Sequence, residues 1–128
     1  MKQIKFNLPA PPSANKIWRQ GNGRMHLSAA YKQWKDAAQW SMIEQLGSER
    51  PSEPLSGPFA VTLVIHASDG RNARRDVDNY LKPILDFLEY AGLVENDVHC
   101  QRLLISRGDR MQTHHVEVTL SELPGEPG

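Results

Sequence analysis

The chain has 128 residues, a formal net charge of zero, 39% hydrophobic and 23% charged residues, and a single cysteine, Cys100. This fits one small domain. It excludes an internal disulfide and a Cys-x-x-Cys metal site, and the longest apolar run falls far short of the roughly 18 residues that span a bilayer. The neutral total hides an asymmetry. Residues 1–35 hold Lys2, Lys5, Lys16, Arg19, Arg24, Lys32 and Lys35 and no acidic residue, whereas the remainder holds eight basic and fifteen acidic residues. A local field of this kind, rather than the net charge, steers a polyanion.

Ile4, Phe6 and Leu8 alternate with Lys5 and Asn7, the period of a strand. Met1-Lys2 leads into this alternation rather than an apolar block, so no signal peptide is expected and the location is expected to be cytoplasmic. Pro9 to Asn15 stops the strand, because proline cannot donate to a ladder. Gly21-Asn22-Gly23 marks a turn or flexible loop. Ser28 suits the N-cap of a helix ending near Gly47. Its stripe Leu27, Tyr31, Trp34, Ala38 and Met42 reads as core packing. Arg50 to Pro58 is a proline-rich connector, and Phe59, Val61, Leu63 and Ile65 form a second strand. Ser68 to Arg75 reads as a polar loop. A second helix is expected from about Asp78 to Tyr90, ended by Gly92, with Pro83 making its start late or irregular near Asn79. Leu103 and Ile105, then Val116, Val118 and Leu120, supply two last strands joined by a turn at Gly108-Asp109. The pattern β-α-β-α-β-β predicts a single α+β domain over residues 1–123, with about four strands and two main helices, and a disordered tail over 124–128.

The chemistry concentrates in Arg74-Arg75-Asp76-Val77-Asp78-Asn79, followed by Lys82 and Asp97. Taken singly, each aspartate reads as a helix cap or a solvated acid. Taken together beside arginines, they point to a Mg²⁺ site, because Mg²⁺ wants oxygen ligands and leaves coordination positions for phosphate. Asp76 and Asp78 can face one ion if extended. Lys82 lies one turn after Asp78, where it could hold a phosphate or stabilise charge as a bond breaks, or simply pair with Asp78. Asp86 and Asn79 are candidates for supporting these groups. Arg71, Arg74 and Arg75 would give phosphate contacts rather than base readout. The five histidines lack zinc-site spacing, and Cys100 reads as a small buried apolar residue.

Arg75-Asp76-Val77-Asp78-Asn79-Tyr80-Leu81-Lys82 with Asp97, preceded by Pro11-Pro12-Ser13-Ala14-Asn15, resembles the signature of RusA-type Holliday-junction resolvases over nearly the whole chain. The resemblance implies a homodimeric, Mg²⁺-dependent endonuclease, often phage- or prophage-encoded, that nicks four-way DNA junctions. It implies Asp76, Asp78 and Asp97 as metal-binding catalytic carboxylates and Lys82 as the catalytic lysine. Asn15 would belong to a structural or DNA-facing loop, and Lys16, Arg19 and Arg24 would join the DNA grip. A two-fold dimer would match the symmetry of paired nicks. The rivals are a nuclease selective for flaps or forks, a non-catalytic junction-binding module, and a small phosphate-ester hydrolase.

Overall fold

The computed structural model describes residues 3–13, 18–21 and 24–125, with the backbone alone for 18–21 and 24–27. Strand β1 (Gln3–Pro9) buries every second residue, so Ile4, Phe6 and Leu8 face the core, as their alternation predicts. A two-stranded hairpin follows, β2 (Trp18–Gly21) paired antiparallel with β3 (Arg24–Leu27). The sequence reading had only a turn there, without the strands. Helix α1 (Ala29–Leu46) begins where expected: the Ser28 Oγ accepts the Tyr31 amide at 3.1 Å. Tyr31, Trp34, Ala38 and Met42 are all buried, while the side chain of Leu27 lies outside the described residues. The Trp34 indole N–H donates to the Pro9 carbonyl at 2.8 Å, and its ring meets Phe87 edge-on at 5.6 Å. One tryptophan thus ties β1 to both main helices. On the outer edge of β1, the Gln45 side chain accepts from the Asn7 amide and donates to the Asn7 carbonyl, both at 2.7 Å. That occupies edge groups that would otherwise template another strand.

Strand β4 (Phe59–His66) is central, in a sheet of order β1-β6-β4-β5. Strand β5 (Cys100–Arg107) pairs parallel with it, and β6 (His115–Glu122) pairs antiparallel with both β4 and β1. Consecutive strands β5 and β6 are therefore not neighbours, and the Gly108-Asp109 region is a crossing over β4 rather than a hairpin turn. Register aligns one sheet face in rows, Ile4, Leu120, Val61 and Leu103, then Phe6, Val118, Leu63 and Ile105, then Leu8, Val116, Ile65 and Arg107, whose first three members are buried in the core while the edge-strand members are exposed or half-buried. The third row ends on an arginine at the edge strand.

The stretch read as a polar loop contains one helical turn, α2 (Gly70–Ala73), capped by Asp69, whose carboxylate accepts the Asn72 amide at 2.8 Å. The expected second helix is divided as Pro83 demands. A 3-10 turn spans Val77–Tyr80, and α3 (Leu81–Tyr90) places Pro83 in its first turn, where an amide has no helical partner to lose. Gly92, at φ +75°, closes α3: the Leu93 amide reaches the Leu88 carbonyl at 2.9 Å and the Gly92 amide reaches Glu89 at 3.0 Å. The sheet face and the two helices enclose the core, an α+β arrangement of one four-stranded mixed sheet and two main helices. Among the described residues no helix is long and apolar enough to cross a membrane. Pro124 and Gly125 have no regular structure, and the rest of the expected tail lies outside the described residues.

Candidate active site

Asp76 stands at the N-cap of the 3-10 turn, yet its side chain caps nothing, and Asp78 lies in the first turn that follows. Both are exposed. The backbone beneath them is held from three sides. An Arg107 guanidinium nitrogen donates to the Arg75 carbonyl at 2.6 Å, so the peptide entering Asp76 is fixed. The Asn79 amide returns to the Asp76 carbonyl at 3.1 Å. Tyr80, fully buried, places its hydroxyl 2.6 Å from His114 Nε2.

Arg75 turns inward. Its guanidinium donates to the Pro11 carbonyl at 2.7 Å and the Asn79 carbonyl at 3.3 Å, and lies 3.9 Å from the centroid of the Tyr80 ring. Burial pulls its pKa down, with the Tyr80 ring and hydroxyl opposing. The Ser13 hydroxyl reaches the Asn79 side-chain oxygen at 3.4 Å. The proline segment and the aspartate turn, 64 residues apart in the Arg75–Pro11 bond, are thereby one assembly. Arg75 was expected at the DNA surface; in the fold its guanidinium is committed to protein carbonyls and an aromatic ring. Arg71 and Arg74 are exposed on α2 and its C-cap. Arg19 and Arg24 lie on the hairpin strands β2 and β3, and Asn15 and Lys16 lie outside the described residues.

Lys82 opens α3, with its ammonium 3.9 Å from Asp86 one turn on. It pairs with Asp86, not with Asp78 as the i, i+4 alternative had it. Asp86 is half-buried, and that burial raises its carboxyl pKa; Lys82 opposes the shift, and the charges of Asp97 and Glu89 add to it. Asp97 begins a 3-10 turn leading into β5, and its amide donates to the Glu89 carboxylate at 2.6 Å. Glu89, itself exposed, thereby anchors Asp97 beside the second half of α3. Cys100 is half-buried, and its thiol points to the Arg102 carbonyl at 3.3 Å.

Two acidic positions result: Asp76 with Asp78 before α3, and Asp97 with Asp86 along it. Among the described residues no three His, Cys, Asp or Glu side chains gather closely enough to hold a metal ion. The donor chemistry nevertheless fits a hard cation, since every candidate ligand is a carboxylate oxygen. Mg²⁺ is commonly held by one or two carboxylates together with substrate phosphate. Sequence reasoning gave no role to Tyr80, His114 or Arg107, although Tyr80 stands inside the Arg75–Lys82 signature and Arg107 is the next alternate residue after Leu103 and Ile105.

These features define an α+β domain whose carboxylates stand exposed beside arginines, with a lysine one turn into the following helix. The model of the family Endodeoxyribonuclease RusA matches residues 9–121, and the chain belongs to that family: it is an endonuclease acting on DNA. Its relatives include the crossover junction endodeoxyribonuclease of Enterobacteria phage HK97, 28% identical over 96% of this chain and 98% of the relative. The proteins of the same name from Shigella sonnei strain Ss046 and Escherichia coli strain K12 are each 27% identical over 98% of this chain and their whole length.

Proposed function

We propose that the chain is a Mg²⁺-dependent, homodimeric, cytoplasmic resolvase that cuts four-way DNA junctions by paired symmetric nicks. The observation that carries this reading is the end-to-end match to relatives named crossover junction endodeoxyribonucleases, with the Asp76–Asp78 pair exposed on a braced turn. Asp76, Asp78 and Asp97 would hold the ion, Asp97 being the group that has to close on the other two. When bound, Mg²⁺ supplies a polarised phosphoryl oxygen and a water of lowered pKa. Lys82 would place its ammonium against the charge that develops on the phosphate oxygens. Asp86, paired to Lys82, keeps that ammonium over α3. Attack by water forms one P–O bond and breaks the bond to the 3′ oxygen, which takes a proton, leaving 5′-phosphate and 3′-hydroxyl ends. The exposed Arg71 and Arg74 would contact phosphates, so affinity falls with salt.

The test is a labelled synthetic four-way junction beside a linear duplex of the same sequence, with Mg²⁺ and with EDTA. Paired nicks on the junction alone, only with Mg²⁺, are expected. Binding without nicks in every condition would leave a junction-binding module, and equal cutting of flaps or forks would make the selectivity broader.

A further inference from the structure

A cavity of about 230 Å³ opens between β4, α2 and the crossing that follows β5, lined by Ile65, Ala67, Ala73, Arg107, Gly108 and Arg110. We propose that it is a binding site for one backbone phosphodiester of the bound strand, with Arg107 and Arg110 on the phosphate and the apolar floor against the deoxyribose. The proposal rests on the nuclease reading only in taking DNA as the ligand; Arg107 and Arg110 belong to none of the groups placed so far in the grip.

Position is the first argument. Arg107 stands opposite Ile65 in the parallel pairing of β4 and β5, exposed at the edge-strand end of a row otherwise filled by the buried Leu8, Val116 and Ile65. A charged residue there must reach out past the sheet edge, and Arg107 does so by hydrogen bonding to the Arg75 carbonyl. That bond uses one of its five donors and leaves the rest of the fork available. It also places the cavity beside the peptide that leads into Asp76. A strand with its scissile phosphate at Asp76 and Asp78 therefore has a neighbouring phosphate within reach of Arg107.

Rigidity is the second. The Gly108 amide donates to the Ile65 carbonyl at 2.9 Å and the Met111 amide to the Ala67 carbonyl at 3.0 Å. The His66 Nδ1–H donates to the Asp109 carbonyl at 2.8 Å. The wall carrying both arginines is thus stitched to β4 and needs no ordering on binding.

Charge is the third. Arg110 makes no hydrogen bond or ion pair among the described residues. The charged side chains that line the cavity are Arg107 and Arg110, and no carboxylate is among its lining residues. A planar guanidinium fork suits phosphate oxygens, and Ile65, Ala67 and Ala73 offer carbon surface but no base-reading donors. The site therefore adds affinity and register without sequence preference.

The test is junction binding by fluorescence anisotropy in EDTA, where no cutting intervenes, as a function of KCl. Arg110→Gln and Arg107→Gln are compared with Arg50→Gln, an exposed arginine on the remote proline-rich connector. Each cavity variant should weaken binding several-fold and lower the slope of log Kd against log salt by about 0.9, equally for junctions of different sequence, with Arg50→Gln unchanged. Because Arg107 also braces Arg75, Arg110→Gln is the decisive variant. Unchanged affinity and slope in Arg110→Gln, or an equal loss in Arg50→Gln, overturns the proposal. Wild-type protein that binds neither junction nor duplex overturns the nuclease reading as well, and the two failures are told apart by that control.

Discussion

The Tyr80 hydroxyl lies 2.6 Å from His114 Nε2, and the two rings meet edge-on at 5.6 Å. This contact joins the turn that carries Asp78 to the residue before β6. The His114 carbonyl in turn accepts the Ala10 amide at 3.1 Å. Burial holds the imidazole pKa down, and Arg75 pushes the same way, so the ring is neutral near pH 7 and its Nε2 can accept the hydroxyl. Tyr80→Phe should therefore destabilise the fold by about 1 kcal/mol, read as a lower urea midpoint with unchanged slope. If the bond also positions Asp78, kcat for junction cleavage falls while junction Kd stays put. Equal losses in both would assign Tyr80 to stability alone.

His114 makes the stability of the fold depend on pH. Its folded pKa lies below the ordinary 6.5, so the unfolded chain binds the proton first. The His114 contribution to stability is fully present above 6.5 and is lost as pH falls from there through the lower folded pKa. His66 is the opposite case. Its Nε2 lies 2.9 Å from a Glu117 carboxylate oxygen, and that hydrogen bond, followed by the one to the Asp109 carbonyl, raises its pKa. The stabilisation from His66 is fully present below 6.5 and fades as pH rises through its folded pKa. Melting curves of wild type and Glu117→Gln between about pH 5 and pH 9 should differ most at the acid end and converge at the alkaline end. A gap of constant size would mean that His66 stays neutral throughout.

Much of this fold was legible because its signals are local. Ser28 and Gly92 are punctuation with a mechanism, and both act where expected. Pro83 announced the break between the 3-10 turn and α3. The hairpin Trp18–Gly21 with Arg24–Leu27 was not legible, since each strand is only 4 residues long, too short for a periodic signal, and only its glycines showed. Nor was the placement of β4 between β5 and β6, which depends on non-local pairing. At the site, sequence spacing singled out the aspartates but not their support. Arg75 reads as a surface cation beside Arg74, and only the fold shows it reaching Pro11 and covering Tyr80. Glu89 holding the Asp97 amide is equally invisible in one dimension.

Asp76→Asn, Asp78→Asn and Asp97→Asn should each abolish junction cutting in Mg²⁺ while junction binding persists. Neutralising a carboxylate removes a metal ligand and also relieves repulsion of phosphate. Three single variants that cut normally would remove the carboxylates from the chemistry. Lys82→Ala should slow cutting strongly with binding largely kept. It also leaves Asp86 without its cation, so the Asp86 carboxyl, already raised by burial, should rise further. An NMR titration of that carboxyl checks this independently of activity, and an unchanged midpoint would mean the 3.9 Å pair is too loose to matter.

Gly108 is the position where the smallest change should cost most. A Cβ there would stand 2.7 Å from a Val64 methyl and 2.9 Å from His66 Nδ1, and against His66 Cε1 as well. Neither neighbour gives easily: Val64 is on the central strand, and His66 is held at both ring nitrogens by Asp109 and Glu117. The Gly108 amide is itself bonded to Ile65, so the backbone cannot retreat without losing a hydrogen bond. Gly108→Ala should therefore destabilise by about 1–3 kcal/mol, the range for overpacking. It should also speed hydrogen exchange at the Met111 amide, which closes the same crossing onto Ala67. Removing the obstructing methyls tests the cause. In a double-mutant cycle, Val64→Ala should recover part of the loss, and strictly additive effects would show that the clash lies elsewhere.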